Sequence, residues 1–130
     1  MTTRLEAVHP VLMSSDVATS IRFYSRLGFE LAFQDDASPP KYAAVRRDEV
    51  EIHLQWHHGE QWAYPNDRPT YRFLVREVDA LYAELSGDGA LPDPLSSRSP
   101  WPKPTDTPWG TREFHLLDPD GNGLQFYRPL

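Results

Sequence analysis

The sequence predicts an α+β fold made of two βαβββ units whose curved mixed sheets pair around a cleft. Three observations predict it. First, a strand-like run ending in an acidic helix cap occurs twice, at Val11-Leu12-Met13-Ser14-Ser15-Asp16-Val17 and at Phe73-Leu74-Val75-Arg76-Glu77-Val78-Asp79. Second, each cap opens about three turns of helical spacing that end at glycine. Third, each helix is followed by short β-like stretches separated by turn residues. Two such units cannot bury their sheets separately, so pairing them is the natural solution. A chain of 130 residues fits a single domain, with repeat units at about residues 1–60 and 68–130.

In chain order, residues 5–13 form an apolar-rich run too short for a good helix, and they read as a strand leading to a cap. Ser15 or Asp16 can accept orphan helix amides. Val17, Ile21, Tyr24 and Leu27 or Phe23 then recur at helical spacing before Gly28, which places one helix at about residues 16–27. Three strands follow at residues 29–34, 42–46 and 50–56. In the last of these Glu51, His53 and Gln55 alternate with Ile52, Leu54 and Trp56, so one face is polar and must look at water or a ligand. Residues 57–69 read as a polar hinge. The pattern restarts with a strand at 71–75 and a helix carrying Val78, Leu81, Tyr82 and Leu85, closed by Gly87 and Gly89. The segment 92–108, dense in Pro, Ser and Trp, precedes strands at 112–117 and 123–127 joined by Asp118-Pro119-Asp120-Gly121-Asn122.

Composition excludes several classes of function. Without cysteine there is no disulfide framework and no thiolate metal site, and a reducing compartment suits the chain. The N-terminal residues lack the apolar stretch of a leader, and no long apolar run is present, which predicts a soluble cytoplasmic protein without membrane association. A net charge of −6, with acidic residues scattered along the chain, disfavours nucleic acid and would steer a cationic small molecule. No nucleophile with a base partner, phosphate-cradling glycine loop or zinc-protease helix is visible, so no catalytic residue is assigned.

Aromatic rings and histidines remain as candidates. Three of the four tryptophans, among them Trp62, Trp101 and Trp109, lie in or beside irregular segments, where a ring either clasps a flat ligand or plugs the cleft. His57 and His58 point apart in an extended chain and read as exposed loop residues. His115, between Phe114 and Leu116, reads as a satisfied sheet histidine.

The run His9-Pro10-Val11-Leu12-Met13-Ser14-Ser15-Asp16-Val17, with Ile21-Arg22-Phe23-Tyr24 and Leu27-Gly28-Phe29, resembles the opening signature of the vicinal-oxygen-chelate superfamily. Asp118-Pro119-Asp120-Gly121-Asn122 resembles its closing turn. Pro108-Trp109-Gly110-Thr111-Arg112-Glu113-Phe114 and Arg47-Asp48-Glu49-Val50-Glu51-Ile52-His53-Leu54 are similar to the glyoxalase/bleomycin-resistance group within it. The resemblance implies a homodimer with ligand clefts between protomers. It places Phe33, Tyr42 and Trp109 at the groove, with His53 and Gln55 as donors and acceptors on the concave face; Trp101, from the irregular segment, is taken as a further ligand-facing ring. Arg112 is open between a ligand contact and an ion pair near Glu113. Metal-dependent members draw ligands from up to four strands; here His9 and His53 match two positions, whereas Thr70 and Gln125 occupy the others. That set holds no anion, so the expectation is no metal and no cofactor. The implied function is sequestration of a glycopeptide-type or other flat, cationic antibiotic without turnover. The alternative is a metal-dependent lyase, isomerase or dioxygenase.

Overall fold

The computed structural model describes residues 3–58, 69–87, 89, 91, 99 and 101–130. The first unit runs β1 (Val11–Ser14), α1 (Val17–Arg26), β2 (Glu30–Gln34), β3 (Tyr42–Arg47) and β4 (Val50–Trp56). The second runs β5 (Thr70–Leu74), α2 (Val78–Gly87), β6 (Thr105–Asp106), β7 (Thr111–Leu117) and β8 (Gly123–Pro129). Each unit closes into a four-stranded mixed sheet of the same topology, ordered β1-β4-β3-β2 and β5-β8-β7-β6. In both, the first strand is parallel to the last and the remaining pairs are antiparallel. The βαβββ order read from the sequence is therefore the order observed.

Local chemistry accounts for the elements. Asp16 caps α1, accepting from the Thr19 amide at 3.2 Å, and its carboxyl is held low by that bond. Gly28 stops the helix at φ 89°, a left-handed conformation that is costly for a residue with a Cβ. The hydrophobic core takes one side of each sheet: Leu12, Val45, Ile52 and Leu54 lie in it with Val17 and Tyr24 of α1, and Phe114, Leu116, Leu124 and Phe126 lie in it with Val78 and Leu85 of α2. Each fully buried aliphatic side chain contributes about 1.5–3 kcal/mol. Because side chains alternate along a strand, the residues between these core positions make up a polar face on the other side of each sheet.

The closing turn ties the two units together. Tyr24 Oη donates to Asp118 Oδ2 at 2.8 Å, Asn122 Nδ2 donates to the Met13 carbonyl at 3.1 Å, and Asp120 Oδ1 accepts from Ser15 Oγ at 2.7 Å. Burial pushes the Asp118 carboxyl up, opposed by the donors from Asn122 and Tyr24. Burial and the neighbouring Asp118 charge likewise push the Tyr24 phenol up.

Two expectations change. The first strand is shorter than the run 5–13: residues 3–9 are exposed, and pairing with β4 begins at Val11. Leu5 and Val8, at 96% and 91% exposure, are apolar residues without a core to enter. The second change is β6, a two-residue strand inside the segment 92–108 that completes the second βαβββ unit. Most of the polar hinge, with Trp62, lies outside the described residues, as do residues 92–98. Among the described residues no helix is long and apolar enough to cross a membrane.

Candidate functional site

Both polar sheet faces carry clustered functional groups. On the first, β4 presents Glu51, His53 and Gln55, and its neighbours in register are Val11 and Met13 of β1 and Tyr42, Ala44 and Arg46 of β3. Phe33, paired with Ala44 past a bulge in β2, adds a 55% exposed ring to the same face. Tyr42, His53, Gln55 and Phe33 are thus brought onto one surface, as the groove reading requires.

The centre of this face is a cluster of His9, Glu51 and His53. Glu51 Oε2 lies 3.2 Å from His9 Nε2 and 2.9 Å from His53 Nε2, and the two imidazole rings stack with centroids 4.8 Å apart. An ionised carboxylate only accepts, so His53 Nε2 donates to Glu51 and its Nδ1 accepts from the Tyr42 hydroxyl at 2.7 Å. The other carboxylate oxygen, Oε1, accepts from Arg46 at 2.6 Å. The His53 and Arg46 donors, with His9 nearby, bring the Glu51 carboxyl down to about 2. The expectation of a donor set without an anion is corrected here: Glu51 stands two residues before His53 on the same strand, so both side chains project from the same face.

On the second face, Glu113 of β7 is fully buried and satisfied. Arg72 of β5 donates to both its oxygens at 3.3 and 3.2 Å, His115 Nε2 donates at 2.7 Å, and Thr111 Oγ1 donates to Oε2. Burial pushes this carboxyl up, and those donors more than offset it, leaving it at about 2. His115 Nδ1 then accepts from the Ser99 hydroxyl at 2.6 Å. It is a satisfied sheet histidine, as expected. Arg72 also donates to Gln125 Oε1 at 2.6 Å and lies 4.1 Å over the Tyr127 ring. At the side of this face Trp101 meets Trp109 edge to face at 4.9 Å and lies 5.7 Å from the His115 ring, while Trp109 is 55% exposed.

Arg112 does not join either face. One position from Glu113, it projects to the helix side of β7, where it makes a two-pronged pair with Asp79 at 2.8 Å and a second pair with Asp106 at 3.0 Å. Those two carboxylates raise its pKa further. His57 is half-buried rather than exposed, and exposed His58 packs edge-on against Trp56. Sequence reading passed over Glu51, Arg72 and Glu113 as site residues. The spelling Glu-x-His, present at 51–53 and again at 113–115, was the available signal.

Two four-stranded sheets of matching topology, each backed by one helix and each offering a polar, ring-bearing face, define a scaffold for small-molecule recognition. The chain belongs to the Glyoxalase/Bleomycin resistance protein/Dioxygenase superfamily, whose family profile matches residues 7–126. It is 29% identical over 136 aligned positions to a bleomycin resistance protein of Geobacillus stearothermophilus, covering 93% of this chain and 95% of that relative. An uncharacterized protein of Mycolicibacterium smegmatis is 30% identical, with 92% and 90% covered. Among solved structures, the bleomycin-binding protein of bleomycin-producing Streptomyces verticillus, complexed with copper(II)-bleomycin, superposes with a TM-score of 0.73 at 27% identity over 96% of this chain and 97% of that one. A bleomycin resistance determinant encoded on transposon Tn5 gives 0.74 at 22% identity over 96% and 98%.

Proposed function

We propose that this protein binds a flat, cationic antibiotic of the bleomycin type and releases it chemically unchanged. The observation that carries the reading is the half-exposed Trp109 ring, braced edge-on by Trp101 beside a polar sheet face. A braced indole offers a large stacking surface at little entropic cost, and a net charge of −6 favours capture of a cation. Relatives named for bleomycin resistance and a bleomycin-bound neighbour of the same fold support the ligand class. Tyr42, His53, Gln55 and Phe33 serve as the complementary wall.

The working form is a homodimer. Among the described residues, Phe33, Leu74 and Trp109 are each 55% exposed, and Leu5 and Val8 project from an exposed N-terminal segment. A second copy supplies the opposite wall of each cleft. A cytoplasmic location suits a cysteine-free acidic chain.

Titration with bleomycin under tryptophan fluorescence tests the reading. The expected result is saturable quenching, ligand recovered at unchanged mass, and a Trp109→Ala variant weakened about 30-fold, the effect of losing about 2 kcal/mol at a stacking hot spot. Unchanged affinity in that variant, or chemically altered ligand, would overturn it. Sedimentation of the free protein checks the dimer.

A second reading, metal-assisted chemistry on a small oxygenated substrate, is favoured by the convergence of His9, Glu51 and His53. It requires that cluster to hold an ion.

A further inference from the structure

We propose that Glu51 is the anionic ligand of a divalent transition-metal site completed by His9 and His53, and contained within the first sheet. The superfamily resemblance leads one to look for an acid on the closing strand, where this chain has Gln125. That amide is engaged by Arg72, and the acid nearest it, Glu113, has both oxygens occupied and no exposed surface. Among the described residues, the polar face of the second sheet therefore has no free anion to contribute. The first sheet has one, in a different place.

Three features of the cluster fit a metal. The donor atoms converge: one ligand atom from each of His9, Glu51 and His53 lies within 4.8 Å of the others, and Glu51 Oε2 is 3.2 Å from His9 Nε2 and 2.9 Å from His53 Nε2. Ligands around a tetrahedral zinc with bonds of about 2.0–2.1 Å stand roughly 3.3 Å apart, so only small side-chain movements would open the cluster around an ion. Outer partners are already in place. Tyr42 holds the far nitrogen of His53, and because a hydroxyl both donates and accepts, that contact survives the tautomer switch that frees Nε2 for coordination. Arg46 holds the other oxygen of Glu51 on a side chain that is 60% exposed and free to turn toward solvent, which limits its repulsion of a cation. Finally, the donor types select the metal. Two imidazoles and one carboxylate suit zinc and its first-row neighbours better than calcium or magnesium, and three protein ligands leave a position for water or a bound molecule.

The proposal does not rest on the binding of bleomycin, and its test uses no antibiotic. Zinc titrated into full-length, metal-free protein by calorimetry, and cobalt(II) followed by its visible absorption, should each report one ion per chain, with imidazole-containing coordination in the cobalt spectrum. Glu51→Gln and His9→Ala should each weaken zinc binding at least about tenfold, and Tyr42→Phe about tenfold as an outer partner. Gln125→Ala should leave it unchanged. Circular dichroism and melting of each variant exclude unfolding as the cause of a loss; if one ligand variant fails to fold, the other carries the test. Absence of stoichiometric binding, or binding that survives both ligand variants, overturns the site. A loss confined to Gln125→Ala would move the ion to the closing strand and overturn the one-sheet arrangement.

Discussion

The same three-letter phrase, Glu-x-His, occurs on both sheets and does different work on each. At Glu51 and His53 on β4, and at Glu113 and His115 on β7, the histidine Nε2 meets the carboxylate and Nδ1 meets a hydroxyl, Tyr42 in one case and Ser99 in the other. The difference lies in the cation. Arg46 reaches Glu51 from β3 by one oxygen and remains largely in solvent, while Oε2 faces the two imidazoles. Arg72 reaches Glu113 from β5, on the far side of β8, and takes both oxygens of a carboxylate that has no exposed surface. One cluster keeps a donor set pointed outward, whereas the other is a closed clamp joining β5, β7 and β8. The same Glu-x-His spacing specifies an open site or a strut according to what the neighbouring strands supply.

The largest expected effect follows from the clamp. Glu113→Ala removes a buried acceptor from His115, Thr111 and the 38% exposed Arg72, and losing hydrogen bonds to a buried charge costs about 1.5–3 kcal/mol. Urea unfolding of this variant should therefore show a large drop in midpoint, and Glu51→Ala, at the more open cluster, a much smaller one. Equal losses in the two variants would erase the distinction between strut and site.

Why the fold was legible and this distinction was not has a physical explanation. Asp16, Gly28, the acidic residue in the first turn of α2 and the alternation along β4 each act within a few residues, and a single chain displays such signals openly. Parity along β4 likewise placed His53 and Gln55 on one face, while Phe33 and Tyr42 were assigned to the groove by the family resemblance. Long-range partners are not displayed. Arg72 lies 41 positions from Glu113, and Asp79 lies 33 from Arg112, so neither the clamp nor the engagement of Arg112 on the helix side could be read from spacing. Glu51 was passed over as a ligand because one donor was sought per strand, although positions two apart share a face. The two-residue β6 has no periodicity to detect.

Acid titration sharpens the comparison with a smaller effect. Glu113 sits at about 2 in the folded chain against about 4.5 when unfolded, so its contribution is fully present above the unfolded value and is lost as pH falls through the folded one. The wild-type midpoint in urea should decline between those values, and Glu113→Gln should decline less steeply across the same window. Asp118 works in the opposite sense, because burial raises it: acidification from just above its folded pKa relieves the cost of its buried charge and partly offsets the loss. A variant whose slope matches wild type would mean that the Glu113 clamp contributes no proton-linked stability.

The smallest effect expected is in salt. A Debye length shrinks from about 14 Å at about 0.05 M to about 4 Å at about 0.5 M, and solvent-exposed pairs feel this far more than buried ones. Side-chain exposure is 60% and 14% in the Arg46–Glu51 pair against 38% and 0% in the Arg72–Glu113 pair. Double-mutant cycles for Arg46 with Glu51 and for Arg72 with Glu113, run at both salt concentrations, separate the two. Coupling in the first pair should fall more steeply at high salt than coupling in the second. Because Arg46 competes for the carboxylate that faces His9 and His53, salt that loosens it should not weaken the three-donor cluster itself. If both couplings fell together, the two Glu-x-His sites would share one dielectric environment, and burial could no longer be what makes one of them a strut.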